Sequence, residues 1–322
     1  MLCKPSQVGD FRGPDPCTRR VAHRYFCQTI LLIPILAGLS GVPLEARWVE
    51  DQTGRRVEVP DHPQRLISLA PSITETLFAL GLGDNVVGDT DYCEYPPEAK
   101  LKPHVGAILT PNLERIIALK PDLVLGSPEA NRRETADRLA QLGIPLYGVT
   151  AHSVDDMLHS IEDLGRVLGH EADAKKLAAN LRQRIVAVEK RVAPLRRPKV
   201  LFVVWYRPLT TAGPNTFITD VIQRAGGTSI TENLLGEWPH LSLEEALLRD
   251  PDVILFPRAE SFSPQLDEFQ QLPGWRDLRA VKTRQMFFIS DAIIRPSPRL
   301  VDALEEVARA LHPQGHAQEA VK

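Results

Sequence analysis

A small set of side chains in this sequence could hold a ligand and stands outside the periodic apolar runs. Tyr92 lies in GDTDYCEYPPEA, Trp205 and Tyr206 close the run KVLFVVWY, Trp238 lies in GEWPHLSLEE, and Arg295 lies in AIIRPSPR. Only 6% of the chain is aromatic, so four rings at element ends are a concentration worth explaining. One Tyr or Trp beside a turn is ordinarily structural. Rings spread over both halves of the chain point instead to a broad, flat, apolar ligand gripped by ring faces, with Arg295 free to meet a carboxylate, an amide or a phosphate.

Other chemistry is weaker. His104 and His240, with Asp89, Asp91 and Glu94, could in principle approach a metal, but their spacing has no metal-site pattern and no cluster of histidines accompanies them. Structural roles fit them best, then contact with the organic ligand; no metal site is assigned. Cys93 reads as an inert thiol. The pairs Asp155-Asp156 and Glu305-Glu306 sit where solvated charge is ordinary. The sequence has no glycine-rich phosphate loop, no HExxH and no GxSxG, so no catalytic residue is assigned. Two rival classes stay open: an exported enzyme working around DTDYCEY and EWPH, and a redox or metal chaperone using Cys93 and His104.

The elements that must position these residues follow from periodicity. RLISLAPSITETLFALGLGDNVVGDTD reads as strand, helix, strand, with Ile73, Leu77 and Leu80 at helical spacing. NLERIIALKPDLVLG adds a short helix stopped by Lys120-Pro121 and a strand at Leu123–Leu125, and RRETADRLAQLGIPLYGVT adds a helix and a strand at Leu146–Val149. Continuous apolar strands alternating with amphipathic helices imply a parallel sheet covered on both faces. From Ser153 to Arg197 the alternation gives way to helix. Its second part, Ala172–Ala193, predicts about 33 Å of helix at 1.5 Å per residue, long enough to bridge two lobes. The alternation then resumes through Lys199–Tyr206, Asn215–Gly227, Ser242–Phe256, QMFFIS and a helix predicted over Ser297–Leu311.

A repeat ties the halves together. Asn112-Leu113-Glu114 and Pro121-Asp122 correspond to Ser242-Leu243-Glu244 and Pro251-Asp252, 130 residues later. Asn112 and Ser242 are predicted helix caps, and the prolines end their helices. The repeat places Glu114 and Glu244 alike in each lobe. Either acid suits a helix first turn, where the macrodipole favours it; alternatively the two acids meet basic residues on a two-fold membrane partner.

The chain has 322 residues, 43% of them hydrophobic and 25% charged, with formal charge −3, so it can fill two cores and has no electrostatic claim on nucleic acid. RRVAHR followed by FCQTILLIPILAGLSGVPL reads as a cleavable export signal, cut after Ala46, with an uncleaved N-terminal anchor as the alternative. Three of the four cysteines leave with residues 1–46. So do five basic and three acidic side chains, which moves the formal charge from −3 to −5. The boundaries read as 1–46 leader, 47–153 first lobe, 154–197 helical connector and 198–322 second lobe.

RLISLAPSITETLFALG, DYCEYPPEA, NLERIIALKPDLVLG, LGIPLYGV, EWPHLSLEEALLRDPDVILF and RPSPR together resemble the helical-backbone substrate-binding proteins of ATP-driven importers, and most of all their cobalamin-binding branch. The resemblance implies two Rossmann-like lobes joined by a single long helix (the class III periplasmic binding protein fold), a periplasmic location and a non-enzymatic role. It implies no cofactor of the protein's own, a transported corrinoid such as cobalamin, a permease with its ATPase as partner, and a monomeric soluble part. Position by position, Tyr92 resembles the first-lobe ring on the corrin, Trp238 the tryptophan opposite, Arg295 the basic residue near the ligand, and Glu114 and Glu244 the acids that dock on permease arginines. Trp205 or Tyr206 stands in for an aromatic carried slightly later in the branch. Ala107 after Gly106, Ser127 in GSPEA and Ile294 replace two tryptophans and an acid of the branch, which leaves haem or a ferric siderophore as the alternative cargo.

Overall fold

The computed structural model describes residues 46–258 and 265–313; of the leader read from residues 1–46, all but Ala46 lies outside them. The described residues open with an antiparallel hairpin, β1 (Ala46–Glu50) and β2 (Arg56–Pro60), that the periodicity did not signal. Asp51 at its turn accepts the N–H groups of Thr53, Arg55 and Gly148, which ties the hairpin to the first sheet.

The first lobe then runs β3 (Leu66–Ser68), α1 (Pro71–Ala79), β4 (Val86–Gly88), α2 (Leu113–Ala118), β5 (Leu123–Gly126), α3 (Arg133–Gln141) and β6 (Leu146–Gly148). Its sheet is all parallel, in the order β4-β3-β5-β6. β3 and β5 are buried along their whole length, which is why they read as unbroken apolar runs rather than alternating ones.

Two helices follow, α4 (Val154–Leu168) and α5 (Glu171–Val192), the latter 22 residues long. Ser153 caps α4 by accepting the Asp156 N–H, and Gly169 ends it at φ 77°. The two helices pack so closely that a Cβ on Gly165 would lie 2.2 Å from that of Ala174. The long helix α5 joins the two lobes, with α4 packed along it. The start of α4 touches the second lobe, where the Val154 N–H donates to Asp220, and its end touches the hairpin, where Arg47 donates to the carbonyls of Arg166 and Val167.

The second lobe holds β7 (Lys199–Tyr206), β8 (Leu209–Thr211), α6 (Phe217–Arg224), β9 (Thr228–Ser229), α7 (Leu243–Arg249), β10 (Val253–Pro257), α8 (Arg279–Lys282), β11 (Met286–Ile289) and α9 (Leu300–Leu311). Its parallel strands are ordered β9-β7-β10-β11, the order of the first lobe, with β8 added antiparallel to the far half of β7. The last helix starts three residues later than the pattern predicts, since Pro298 follows Ser297 and the Ser297 hydroxyl bonds to Glu75 of the other lobe.

One apolar core runs through both lobes. It contains Leu66 and Leu123 of the first sheet, Ile161 and Ile185 of the helix pair, and Phe202 and Leu304 of the second lobe. Each such side chain contributes about 1.5–3 kcal/mol through burial, so hinging at the joint would open packed surface on both sides. Arg224 adds polar ties there, reaching Asp155, Glu189 and Asp220.

Candidate functional site: a cleft between the lobes

Because the two sheets have the same strand order, their carboxyl ends carry equivalent loops, and open α/β sheets bind ligands outside those ends. A cavity of about 890 Å³ lies there, with Ala70 after β3, Ser127 after β5 and Val149 after β6 on one side, and Arg258 after β10 and Asp291 after β11 on the other. That volume is near the top of the range for small-molecule pockets.

Tyr92 reaches the cavity from the loop after β4 and is 54% exposed. Two groups beneath it pin that loop. The Cys93 thiol is buried between the hydroxyls of Thr74 and Thr90, at 3.1 and 3.2 Å, and burial pushes its pKa up, so it is an unreactive anchor. Asp89 is fully buried with Oδ1 2.8 Å from His104 Nδ1, while its Oδ2 has no hydrogen-bond partner. Burial drives the Asp89 carboxyl up to about 6 even though the His104 hydrogen bond and charge pull the other way. His104 thus sits behind the loop and does not line the cavity.

Tyr95 follows in the same loop, before a cis bond to Pro96, and lines the cavity with its ring 4.1 Å beneath the Arg299 guanidinium. Tyr95 stands outside the apolar periodicity and was not among the ring residues expected at the site. Its place three residues after Tyr92, ahead of a double proline that stiffens the loop, was the available signal.

Trp238 enters from the second lobe, 46% exposed. Its loop is laid on β8 and the segment after it by backbone bonds from Gly213 N–H to the Glu237 carbonyl and from Thr211 N–H to the Pro239 carbonyl. Gly213 is required: a Cβ there would lie 2.1 Å from the Gly236 carbonyl oxygen. His240 turns away from the cavity, its Nδ1 3.1 Å from the Thr210 hydroxyl. Trp205 and Tyr206 do not line the cavity either. The Trp205 indole N–H donates to the Arg207 carbonyl, and the Tyr206 ring packs edge-on against Phe269 in the satellite core of the second lobe.

Arg295 lines the cavity but is not a free cation. Its Nη1 lies 3.0 Å from Glu75 of α1 and its Nη2 3.4 Å from Asp291. Arg299 makes the same two contacts, at 3.0 and 2.7 Å. Burial works against the charge of Arg299, but Asp291 and Glu75 outweigh it, and its pKa is raised. Glu75 was legible only as the single charge in the helical stretch SITETLFAL. Across the lobes, His152 stands 3.4 Å from both Glu129 of its own lobe and Glu237 of the other.

Glu114 and Glu244 are exposed in the first turns of α2 and α7, capped by Asn112 and Ser242, which accept the N–H groups of Arg115 and Glu245. Neither lines the cavity. Each follows a cleft-lining residue by six positions, Ile108 in one lobe and Trp238 in the other. Among the described residues, no group of three or more His, Cys, Asp or Glu side chains could hold a metal ion.

Two like-ordered α/β lobes on a helical joint, with a ring-lined cavity between their strand ends, define a class III solute-binding protein. The chain belongs to the periplasmic binding protein family, whose model matches residues 66–292. It is 31% identical over 254 residues to a vitamin B12-binding protein of Photorhabdus laumondii, covering 79% of this chain and 90% of the relative. Among solved structures it is similar to the periplasmic vitamin B12 binding protein of Vibrio cholerae, at 30% identity and TM-score 0.69, covering 78% of this chain and 97% of that one. It is equally similar to a periplasmic haem-binding protein from Roseiflexus sp. RS-1, at 30% identity and TM-score 0.71, covering 78% and 99%. The protein is a periplasmic solute-binding protein that holds a small ligand between its lobes for import by an ABC transporter, and its role is transport rather than catalysis.

Proposed function

We propose that the cargo is a corrinoid, cobalamin or a close relative, and that Tyr92 and Trp238 pack on it from opposite lobes. The observation that carries this reading is their placement on the two sides of one cavity, with Tyr95 beside the first. Rings presented from both lobes suit a wide macrocycle, and the resemblance to vitamin B12-binding proteins supports a corrin in particular. Glu114 and Glu244 dock on basic residues of a permease with two-fold symmetry, and the soluble part works as a monomer.

The test is a calorimetric panel of cobalamin, cobinamide, haem and a ferric chelate against the purified protein. The reading expects one corrinoid bound at micromolar affinity or tighter. Tight haem binding with no heat from either corrinoid would overturn it in favour of a haem carrier, the cargo named for the Roseiflexus relative.

A further inference from the structure

Glu75 is the most deeply buried acid at the meeting of the lobes. Its side chain is 1% exposed, it sits between the core residues Ile73 and Leu77 of α1, and its three side-chain partners all come from the second lobe. Arg295 and Arg299 each place Nη1 3.0 Å from its Oε1, and the Ser297 hydroxyl donates to its Oε2. A carboxylate so placed is costly unless fully partnered, and here every partner lies at or beside the cleft wall.

Lys100, Arg258, Arg295 and Arg299 are the four cations among the described cavity-lining residues. They face four carboxylates, those of Asp91, Glu94, Glu129 and Asp291, with Glu75 behind two of the cations. The wall is therefore mixed in sign and not positive overall, and a polyanionic cargo gains no net field from it. Guanidinium N–H groups beside carboxylate oxygens instead match a primary amide, which offers donors and an acceptor together.

We infer that Glu75 is a positioning residue that sets cargo charge: by holding Arg295 and Arg299 from behind, it makes the cleft select a macrocycle rimmed by uncharged amides over the same macrocycle rimmed by carboxylates. This rests on the corrinoid reading and narrows it.

The experiment titrates cobinamide and cobyrinic acid, which carries free carboxylates where cobinamide carries amides, into the wild type and Glu75→Gln at two ionic strengths. The wild type is expected to bind cobinamide at least about 10-fold more tightly. Glu75→Gln keeps the side-chain shape, leaves Arg295 and Arg299 sharing only the Asp291 carboxylate, and should shrink that ratio by about 10-fold, with cobyrinic acid binding turning salt-sensitive; a purely structural role would weaken both ligands alike. An unchanged ratio in a folded variant overturns the inference and leaves the corrinoid reading standing. Should the variant not fold, equal wild-type affinity for the two corrins overturns it and a clear amide preference upholds it. If neither corrin binds, the corrinoid reading fails, and haem against its diamide puts the same question to the cleft. A wild type that binds none of the four overturns both.

Discussion

At positions 130 residues apart the two lobes agree down to single backbone angles. Lys120 and Asp250 both take left-handed backbone, φ 47° and 50°, immediately before a proline that disfavours the right-handed helical region. Asp122 then accepts the N–H groups of Gln64 and Arg65 at the start of β3, and Asp252 accepts that of Lys199 at the start of β7. The repeated Pro-Asp therefore fastens the central strand to the first strand of its sheet. At the same offset Ile108 and Trp238 both line the cavity, yet one is a small aliphatic group and the other the largest side chain available. The first lobe makes up the difference from another loop, with Tyr92 and Tyr95. Framework and exposed acids are duplicated while the ligand surface is not, which is what a two-fold partner and an asymmetric cargo would each require.

Replacing Glu114 and Glu244 together by alanine should have the largest effect on that comparison. Transport into vesicles carrying the permease and its ATPase is expected to be abolished, each single change giving a partial loss, while ligand affinity in solution stays as in the wild type. Undiminished transport by the double variant would mean that the duplicated acids serve only their helix dipoles. A smaller effect separates the two framework aspartates. Asp122→Ala removes hydrogen bonds at an exposed strand start and should cost about 1 kcal/mol of stability. Asp252 is also 2.8 Å from Arg279 and 3.2 Å from Arg196, so Asp252→Ala should cost about 2 kcal/mol. Urea denaturation reads the difference. Equal losses would show that the ion pairs of the second lobe add nothing to the shared motif.

The repeat was readable because its signals are local: a cap, a short helix, a proline, an apolar strand. α5, one residue off its predicted bounds at each end, and β7, with its predicted bounds, were readable for the same reason. The site was legible only where a ring stood in a loop. Tyr92 and Trp238 lack core periodicity, and both line the cavity. Trp205 and Tyr206 have the same look in sequence but are drawn off by β8, a three-residue strand too short to show a pattern. Glu75 could not have been paired with Arg295 and Arg299 from spacing, because their contact closes more than two hundred residues of chain and depends on how the lobes meet.

The central claim is that one cargo is gripped by rings from both lobes, and the direct measurement is a cobalamin titration of the wild type, Tyr92→Ala, Trp238→Ala and the double variant, each checked for an unchanged thermal melt. Burying one ring face on the macrocycle is worth about 1.4 kcal/mol or more, so each single change should weaken binding about 10-fold and the pair about 100-fold. Wild-type affinity in either single variant would contradict the account, since one lobe would then hold the cargo alone.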